Sequence, residues 1–305
     1  MKKCAEVIVT YNRKVLLEEN INALLNQTYK NHDIYIIDNA STDGTKEVVE
    51  KYLNKNENIK YFNTGSNLGG AGGFTYGIKQ VMTEKTNYDY VWIMDDDSIP
   101  ENQALASLVN KAEQLNDEFS YLASLVYWTD GKIFPMNLPT LDNKDNTNLR
   151  LDLTSKYKIV SILTSSFVGC FINAKYIKKI GLPIKEFFIY GDDVEYTYRL
   201  LRENNAYLDL DSVIIHKSPS NSGCDIATAS DDRISRYYYQ SRNLVYIARK
   251  YKLKMKRFKE IIRKTGKIIL KSPSKKIKRL WCLYKGTIAG LFFNPPIEYI
   301  DDSKE

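Results

Sequence analysis

The chain has 305 residues, 43% of them hydrophobic and 27% charged, with 15 glycines and 8 prolines. That mixture is globular and excludes a disordered or collagen-like polymer. No apolar run reaches the ~20 residues of a membrane-crossing helix, and the net charge of +7 is uneven. Residues 249–279 carry fifteen Lys/Arg against one acid, Glu260, a local +14 that leaves −7 for the remainder.

Taken in chain order, residues 5–116 alternate strand and helix patterns. The N-terminal Met1-Lys2-Lys3-Cys4 has no signal-peptide core and leads straight into a buried strand at residues 5–10. A helical pattern follows at 15–25, then a second strand at 33–38 and a helix at 42–52 with Ser/Thr/Asp at its start. A short strand at 58–62, a glycine-rich turn, a helix at 73–82 and a strand at 90–94 complete the series. Such a series predicts a mainly parallel sheet covered by helices on both faces, with ligands bound beyond the carboxyl ends of the strands. Residues 137–156 are Asn/Asp-rich and read as a long loop. Strands at 157–163 and 167–172, a helix at 174–180, a helix at 195–203 and a short strand at 212–216 come next. Residues 217–232 read as a flexible loop, and the pattern is helical from Arg233 onward. The four cysteines, Cys4, Cys170, Cys224 and Cys282, have no paired spacing, so reduced thiols in the cytoplasm are expected.

The predicted strand ends are polar. They carry Thr10-Tyr11-Asn12-Arg13, Asp38-Asn39-Ala40-Ser41, the glycine-rich run that begins at Gly65, and Asp95-Asp96-Asp97. Three successive carboxylates would repel one another without a cation. In an extended segment Asp95 and Asp97 point the same way, which places two oxygen ligands for Mg²⁺ or Mn²⁺. A helix cap at Ser98 would need one acid, not three. Six glycines lie between Gly65 and Gly77, without the G-K-[ST] ending of a P-loop. Asp192-Asp193 is a second acidic pair whose neighbouring charges push one pKa up, as suits a general base, although in isolation the pair reads more readily as a solvated helix start. His216 ends an apolar strand and reads as a metal ligand or a half-buried imidazole, whereas His32 reads as surface.

Together these residues resemble a family 2 glycosyltransferase with the GT-A fold, over about residues 5–250. Val7 to Arg13 and Ile36 to Thr45 are similar to that family's nucleotide-binding start, Asp95-Asp96-Asp97 to its D-x-D element, and Gly191-Asp192-Asp193 to its catalytic-base motif. Asn67-Leu68-Gly69-Gly70-Ala71-Gly72-Gly73-Phe74, with the two acidic motifs, resembles the galactofuranosyltransferase branch, and related rhamnosyltransferases share most of the pattern. The resemblance implies that Asp38 contacts uracil, while Thr10, Arg13, Asn67 and Gly70 help hold the nucleotide sugar. It implies that Asp95 or Asp96 meets ribose, and that Asp95, Asp97 and His216 bind a divalent metal. Asp193 would be the base of an inverting transfer, and Asp192 would position substrate. The donor implied is UDP-galactofuranose, with dTDP-rhamnose as the alternative. Tyr237-Tyr238-Tyr239-Gln240-Ser241-Arg242-Asn243 is similar to a Y-Y-x-x-R-N segment of the branch. Its Arg242 would meet the diphosphate or form a structural salt bridge, and residues 217–232 would close over the donor.

Residues 1–243 are thus expected to be the catalytic domain, and 244–305 a basic helical region. Leu244, Ala248, Tyr251, Met255, Phe258 and Ile262 fall on one helical stripe, and Ile277, Leu280, Trp281, Tyr284, Ile288 and Leu291 on a second. Basic amphipathic helices with aromatic residues suit an anionic membrane surface, here the inner face of the cell membrane, where a glycan or lipid-linked acceptor would be used. Packing against the body or a second subunit is the rival, and no nucleic-acid motif appears. A nucleotidyltransferase would carry a basic glycine-rich phosphate loop near its N-terminus, which is missing, and intact acids at both motifs argue against a non-catalytic binding module.

Overall fold

Four apolar strands set the centre of the molecule. In the computed structural model, which describes residues 1–142, 147–221 and 225–300, every residue of β1 (Cys4–Thr10) is buried. β1 runs parallel to β2 (His32–Asp38) and to β4 (Tyr90–Asp95), and β2 runs parallel to β3 (Ile59–Asn63). The registers align Thr10 with Asp38 and Asp38 with Asn63, while Val9 faces Asp95. Strand alternation sends Ile8 and Ile36 into one core with Leu17, Trp92 and Leu105. Val7, Ile37 and Ile93 go into the other, with Phe74, Tyr121 and Tyr196. Helices α1 (Lys14–Leu25), α2 (Thr45–Leu53) and α3 (Gly69–Met82) make the crossovers that parallel strands require.

The second half adds β5 (Ser98–Pro100), α4 (Ala104–Gln114), β6 (Tyr121–Trp128), β7 (Thr140–Leu141) and α5 (Thr147–Tyr157). It continues with β8 (Ile159–Thr164), β9 (Cys170–Asn173), α6 (Ala174–Ile180), α7 (Asp192–Leu201) and β10 (Ala206–His216). Among the described residues the strands form one sheet in the order β3-β2-β1-β4-β9-β6-β10-β8-β7, with β5 against β10. β9 is antiparallel to both β4 and β6, and β10 is parallel to β6. β1 to β4, β6 and β10 therefore deliver their carboxyl ends to one rim, which the alternating pattern predicts for β1 to β4.

Several local expectations differ. α3 starts at Gly69 rather than 73, so most of the glycine-rich run is helix, and Gly73 and Gly77 bring it against Val9 and Val7. Residues 98–100 are strand, not the opening of a helix, because they pair with β10. β6, unread in the sequence, is an eight-residue strand between β9 and β10. The expected loop at 137–156 contains β7 and most of α5, while residues 143–146 lie outside the described residues.

The C-terminal region is three helices, α8 (Tyr237–Lys250), α9 (Lys254–Lys271) and α10 (Lys276–Phe292). The boundary expected at residue 243 falls inside α8. α10 lies directly on α8, where a side chain at Gly286 or Gly290 would strike the Tyr238 and Arg242 carbonyls. Residues 293–300 then return to the body. Glu298 accepts from Leu182 N through its carbonyl at 2.8 Å, and its carboxylate meets Lys79 at 2.5 Å and Lys185 at 3.1 Å. The single stripe expected from Leu244 to Ile262 is broken at residues 251–253, where Lys252 takes φ 60°. Ala248 is buried and Leu244 and Tyr251 pack on the body, whereas Met255, Phe258 and Ile262 are exposed.

His32 is not at the surface. It is 3% exposed, with Nδ1 3.1 Å from Oε2 of the wholly buried Glu6. Burial pushes the Glu6 carboxyl up. Burial opposes a charge on His32 as well, but the neighbouring carboxylate outweighs it and raises the imidazole. Removing one partner of a buried pair costs about 3–5 kcal/mol, so His32→Leu should lower the denaturant midpoint strongly. Glu6→Leu combined with His32→Leu should recover most of that loss. Equal midpoints for the two variants would show that the pair contributes nothing.

Candidate active site

The acidic turn after β4 is the centre of the rim. Asp96 and Asp97 are each 3% exposed. Thr10, at the end of β1, donates its hydroxyl to Asp96 Oδ2 at 2.8 Å. Arg13, three residues later, spans the two acids, with Nη1 at 3.3 Å from Asp96 Oδ1 and 2.5 Å from Asp97 Oδ2. The strict alternation expected for Asp95 to Asp97 does not persist, because the chain turns there to enter β5. Asp96 and Asp97 consequently share one guanidinium instead of pointing to opposite faces.

His216, the last residue of β10, places Nε2 3.1 Å from Asp97 Oδ1. Its Nδ1 is 2.8 Å from Asn137 Oδ1, and the Asn137 amide nitrogen donates to Ser166 Oγ at 2.9 Å. With Asn137 turned that way, Nδ1 donates to its Oδ1, and Nε2 lies within hydrogen-bonding distance of the Asp97 carboxylate. A carboxylate oxygen and an imidazole nitrogen side by side are also ligand types that suit Mn²⁺ or Mg²⁺. Asp95 is half-buried and adds its charge to the same spot. Among the described residues no three His, Cys, Asp or Glu side chains are already gathered around one point. Asp97 and His216 are in direct contact, and Asp95 is beside them.

Asp192 and Asp193 open α7 behind Gly191, whose φ of 85° favours glycine. Asp193 Oδ1 accepts from Val194 N at 2.8 Å. Burial raises the Asp193 carboxyl to about 6, held down by the backbone N–H groups of the helix start. Burial and the Asp193 charge raise Asp192 further, to about 8. Burial and the Asp97 charge lift Asp95 to about 6, with Asp193 adding to it, so the two acidic motifs share one electrostatic site. Asp96 reaches about 7 through burial, against the pull of Arg13. Asp97 goes the other way. Burial would lift it, but His216 and Arg13 hold it below the usual carboxylate range.

The remaining expected residues occupy the same rim with different engagements. Asp38 is 1% exposed, accepts from Ser41 N at 2.8 Å and from Tyr61 Oη at 2.7 Å, and shapes a turn in which Ala40 takes φ 61°. Asn67 is exposed and its Oδ1 accepts from Gly69 N at 2.9 Å. Gly70 is half-buried with open space where a side chain would be, whereas Gly69 (φ 72°) lies directly under the Phe188 carbonyl. Arg242 stands apart from the acids. It donates to the Glu186 carbonyl at 2.5 Å and lies 3.9 Å from the Phe293 ring centre. Its neighbour Asn243, wholly buried, donates to the carbonyls of Phe187, Ile189 and Tyr190 at 2.8–3.2 Å. The pair fixes the loop before Asp192, in which Phe188 and Tyr190 both take positive φ. The described parts of residues 217–232 are tied down. Lys217 N donates to the Asp97 carbonyl at 2.8 Å, and Asp225 meets Lys267 at 2.7 Å, while 222–224 lie outside the described residues.

Asn137 and Asn243 are the residues that sequence reasoning missed. Asn243 sat inside a recognised segment without a role, and Asn137 lay in a stretch read only as loop. Partners that orient a ligating histidine typically contribute 10–100-fold to metal affinity. Asn137→Ala is therefore expected to weaken Mn²⁺ binding, followed by electron paramagnetic resonance, by about that factor, while Asn137→Asp retains most of it. Undiminished binding by Asn137→Ala would remove the residue from the site. A pH dependence follows from the raised carboxyls Asp95, Asp96, Asp192 and Asp193. The folded chain holds their protons more tightly than the unfolded chain, whose value is near 3.8. The stability they contribute is fully present below about pH 3.8 and is lost progressively between there and about pH 6 to 8. Without nucleotide or divalent metal, the thermal midpoint should fall across that window, and Asp192→Asn should remove its upper part.

Comparison with known proteins agrees with this geometry. The Glycosyl transferase family 2 model matches residues 7–180. Galactofuranosyltransferase GlfT1 of Mycobacterium tuberculosis (strain ATCC 25618 / H37Rv) is 27% identical over 249 residues, 78% of this chain and 80% of that protein. A GalNAc(5)-diNAcBac-PP-undecaprenol beta-1,3-glucosyltransferase of Campylobacter jejuni is 28% identical over 212 residues, 68% of this chain and 62% of that one. Among solved structures, GalNAc-T7 with UDP, GalNAc and Mn²⁺ superposes with a TM-score of 0.60 at 14% identity, covering 80% of this chain and 51% of that one. The chain belongs to glycosyl transferase family 2 and is a glycosyltransferase with the GT-A fold.

Proposed function

We propose that the protein transfers galactofuranose from UDP-galactofuranose, with inversion, to a hydroxyl of a glycan or lipid-linked saccharide in cell-surface polysaccharide synthesis. The observation that carries this reading is the shared electrostatic site of Asp95 to Asp97 and Asp192-Asp193, with the two carboxyls of the second motif pushed apart. Burial and the neighbouring charge raise Asp192 more than Asp193, a split that supports Asp193 as the base and Asp192 as a hydrogen-bond donor. Asp193 takes the proton of the acceptor hydroxyl, whose oxygen attacks the anomeric carbon as the bond to the diphosphate breaks on the opposite side. Asp192 holds acceptor or donor sugar. Thr10, Arg13, Asp38, Asn67 and Gly70 line the nucleotide side, with Asp96 or Asp95 toward ribose. Asp97 and His216, with Asp95, would hold Mn²⁺ or Mg²⁺, which supplies charge neutralisation of the leaving diphosphate.

The choice of donor is supported by the likeness to galactofuranosyltransferase GlfT1. The choice of acceptor is supported by the undecaprenol-linked substrate in the name of the Campylobacter relative, and such an acceptor would be met at the inner face of the cell membrane. Ring faces beside the base suit a saccharide. Phe188 and Tyr190, on the loop that ends at Gly191, pack against Tyr239 and Tyr237 of α8 with ring centres 5.0 and 5.6 Å apart.

Asp193→Asn should lower transfer by about 10²–10⁴-fold with little change in UDP affinity, and Asp192→Asn should be milder. A dead Asp192→Asn beside an active Asp193→Asn would exchange their roles, and two active variants would remove the pair from catalysis. Asp97→Ala should abolish the tightening of UDP by Mn²⁺. Consumption of UDP-galactofuranose in preference to dTDP-rhamnose and UDP-glucose is the test of the donor.

A further inference from the structure

α9 is turned inside out for a helix in water. Its inward face carries Arg257 and Lys264, 5% and 7% exposed, held by Glu260 at 2.9 and 3.2 Å, with Gln240 accepting from Lys264 at 2.9 Å. Its outward face carries Met255, Phe258, Ile262 and Ile269, all more than half exposed, on one ridge flanked by the exposed Lys256, Lys259 and Arg263. α10 is apolar outward too, though its inward face mixes the apolar Cys282 and Leu283 with Arg279. Ile277, Trp281, Tyr284, Ile288 and Leu291 follow one another outward at spacings of four and three. Leu270 and Phe292, 80% and 81% exposed, extend the two ridges. Thr265 Oγ1 and Tyr284 Oη, 2.9 Å apart, join the helices side by side. No acid interrupts the sequence between Glu260 and Glu298.

An apolar surface of this extent is exposed on a folded chain when something covers it. The lysines beside it decide what covers it. A second copy of this chain would bring the same positive charge against itself, whereas anionic lipid offers opposite charge and an apolar layer together. We propose that the outer faces of α9 and α10 form a docking surface for an anionic lipid bilayer, with Trp281, Phe292, Phe258 and Leu270 entering below the headgroups. This deepens the reading above, in which a lipid-linked acceptor is used. No helix among the described residues is long and apolar enough to cross the bilayer, so the contact is peripheral. The inner side of the same pair grips the segment that leaves His216. Lys267 meets Asp225 at 2.7 Å, Arg279 donates to the Ile226 carbonyl at 2.6 Å, and Lys275 meets Asp231 at 3.0 Å.

The experiment is co-sedimentation of the full chain with vesicles of phosphatidylcholine and phosphatidylglycerol, and with phosphatidylcholine alone. It requires neither donor nor acceptor, so its failure is distinct from failure of the sugar assignment. Binding to the anionic vesicles is expected, weakening as salt rises, with Trp281 emission moving to shorter wavelength. Lys256→Gln/Lys259→Gln/Arg263→Gln should cut partition by about 10²-fold, at ~1 kcal/mol per basic residue. Trp281→Ser/Phe292→Ser should cut it at least about tenfold. UDP binding measured on both variants shows that they are folded. Equal binding by variants and parent would overturn the proposal. So would a parent that ignores anionic vesicles, or that forms dimers which Trp281→Ser/Phe292→Ser dissociates.

Discussion

Five carboxylates converge where the sheet ends, and the rest of the molecule is arranged around keeping them there. Asp95, Asp96 and Asp97 leave β4, and Asp192 and Asp193 begin α7, with Arg13 the guanidinium that touches the first group. Burying like charges is unfavourable, and four of the five respond by holding protons that an exposed aspartate would release. Asp97 alone goes down, because His216 and Arg13 grip its two oxygens. The site is thus poised to accept positive charge. In the proposed reading a nucleotide diphosphate would enter such a rim together with a cation, and the acids would make the binding of donor and metal depend on each other.

That tension is borne by a rigid sheet. The sheet is buried on both faces, whereas the backbone around the site is strained. Asn12, Ala40, Phe188 and Tyr190 all have positive φ, conformations costing on the order of 1–3 kcal/mol each. They persist because side chains overdetermine them. Ser41 Oγ accepts from Asn12 N, Asp38 fixes the turn at Ala40, and Asn243 holds three carbonyls of residues 187–190.

The pattern of what was legible in the sequence follows from the same division. β1, β2 and β4 are runs of Val, Ile and Trp buried on both sides, and such runs announce themselves. Their polar ends then mark the rim without knowledge of tertiary contacts. β6 (Tyr121–Trp128) was missed because Ala123 and Ser124 dilute it and it follows a helix by only a few residues. α5 was read as loop because it follows an Asn/Asp-rich stretch and its leucines, Leu149, Leu151 and Leu153, alternate instead of falling at helical spacing. His32 and Asn137 could not be placed from local sequence at all. Each gains its meaning from a residue 26 or 79 positions away, Glu6 for the first and His216 for the second. The basic tail was legible as amphipathic, but the break at Lys252 divides its first stripe between core and surface.

The C-terminal helices belong to the active site as much as to the surface. On one side α8 carries Tyr237 to Asn243 against the loop that sets Asp192 and Asp193. On the other it receives α10 at Gly286 and Gly290, where backbone meets backbone with no side chain to absorb movement. Glu195, one turn after Asp192, is 1% exposed and accepts from Arg199 on its own helix and from Lys250 and Tyr251 at the end of α8. α7, α8 and α10 are therefore locked in series through close contacts. A surface that seated α9 and α10 would fix the orientation of Asp193 relative to that surface. For the lipid-anchored acceptor proposed above, that orientation would decide which hydroxyl reaches Asp193.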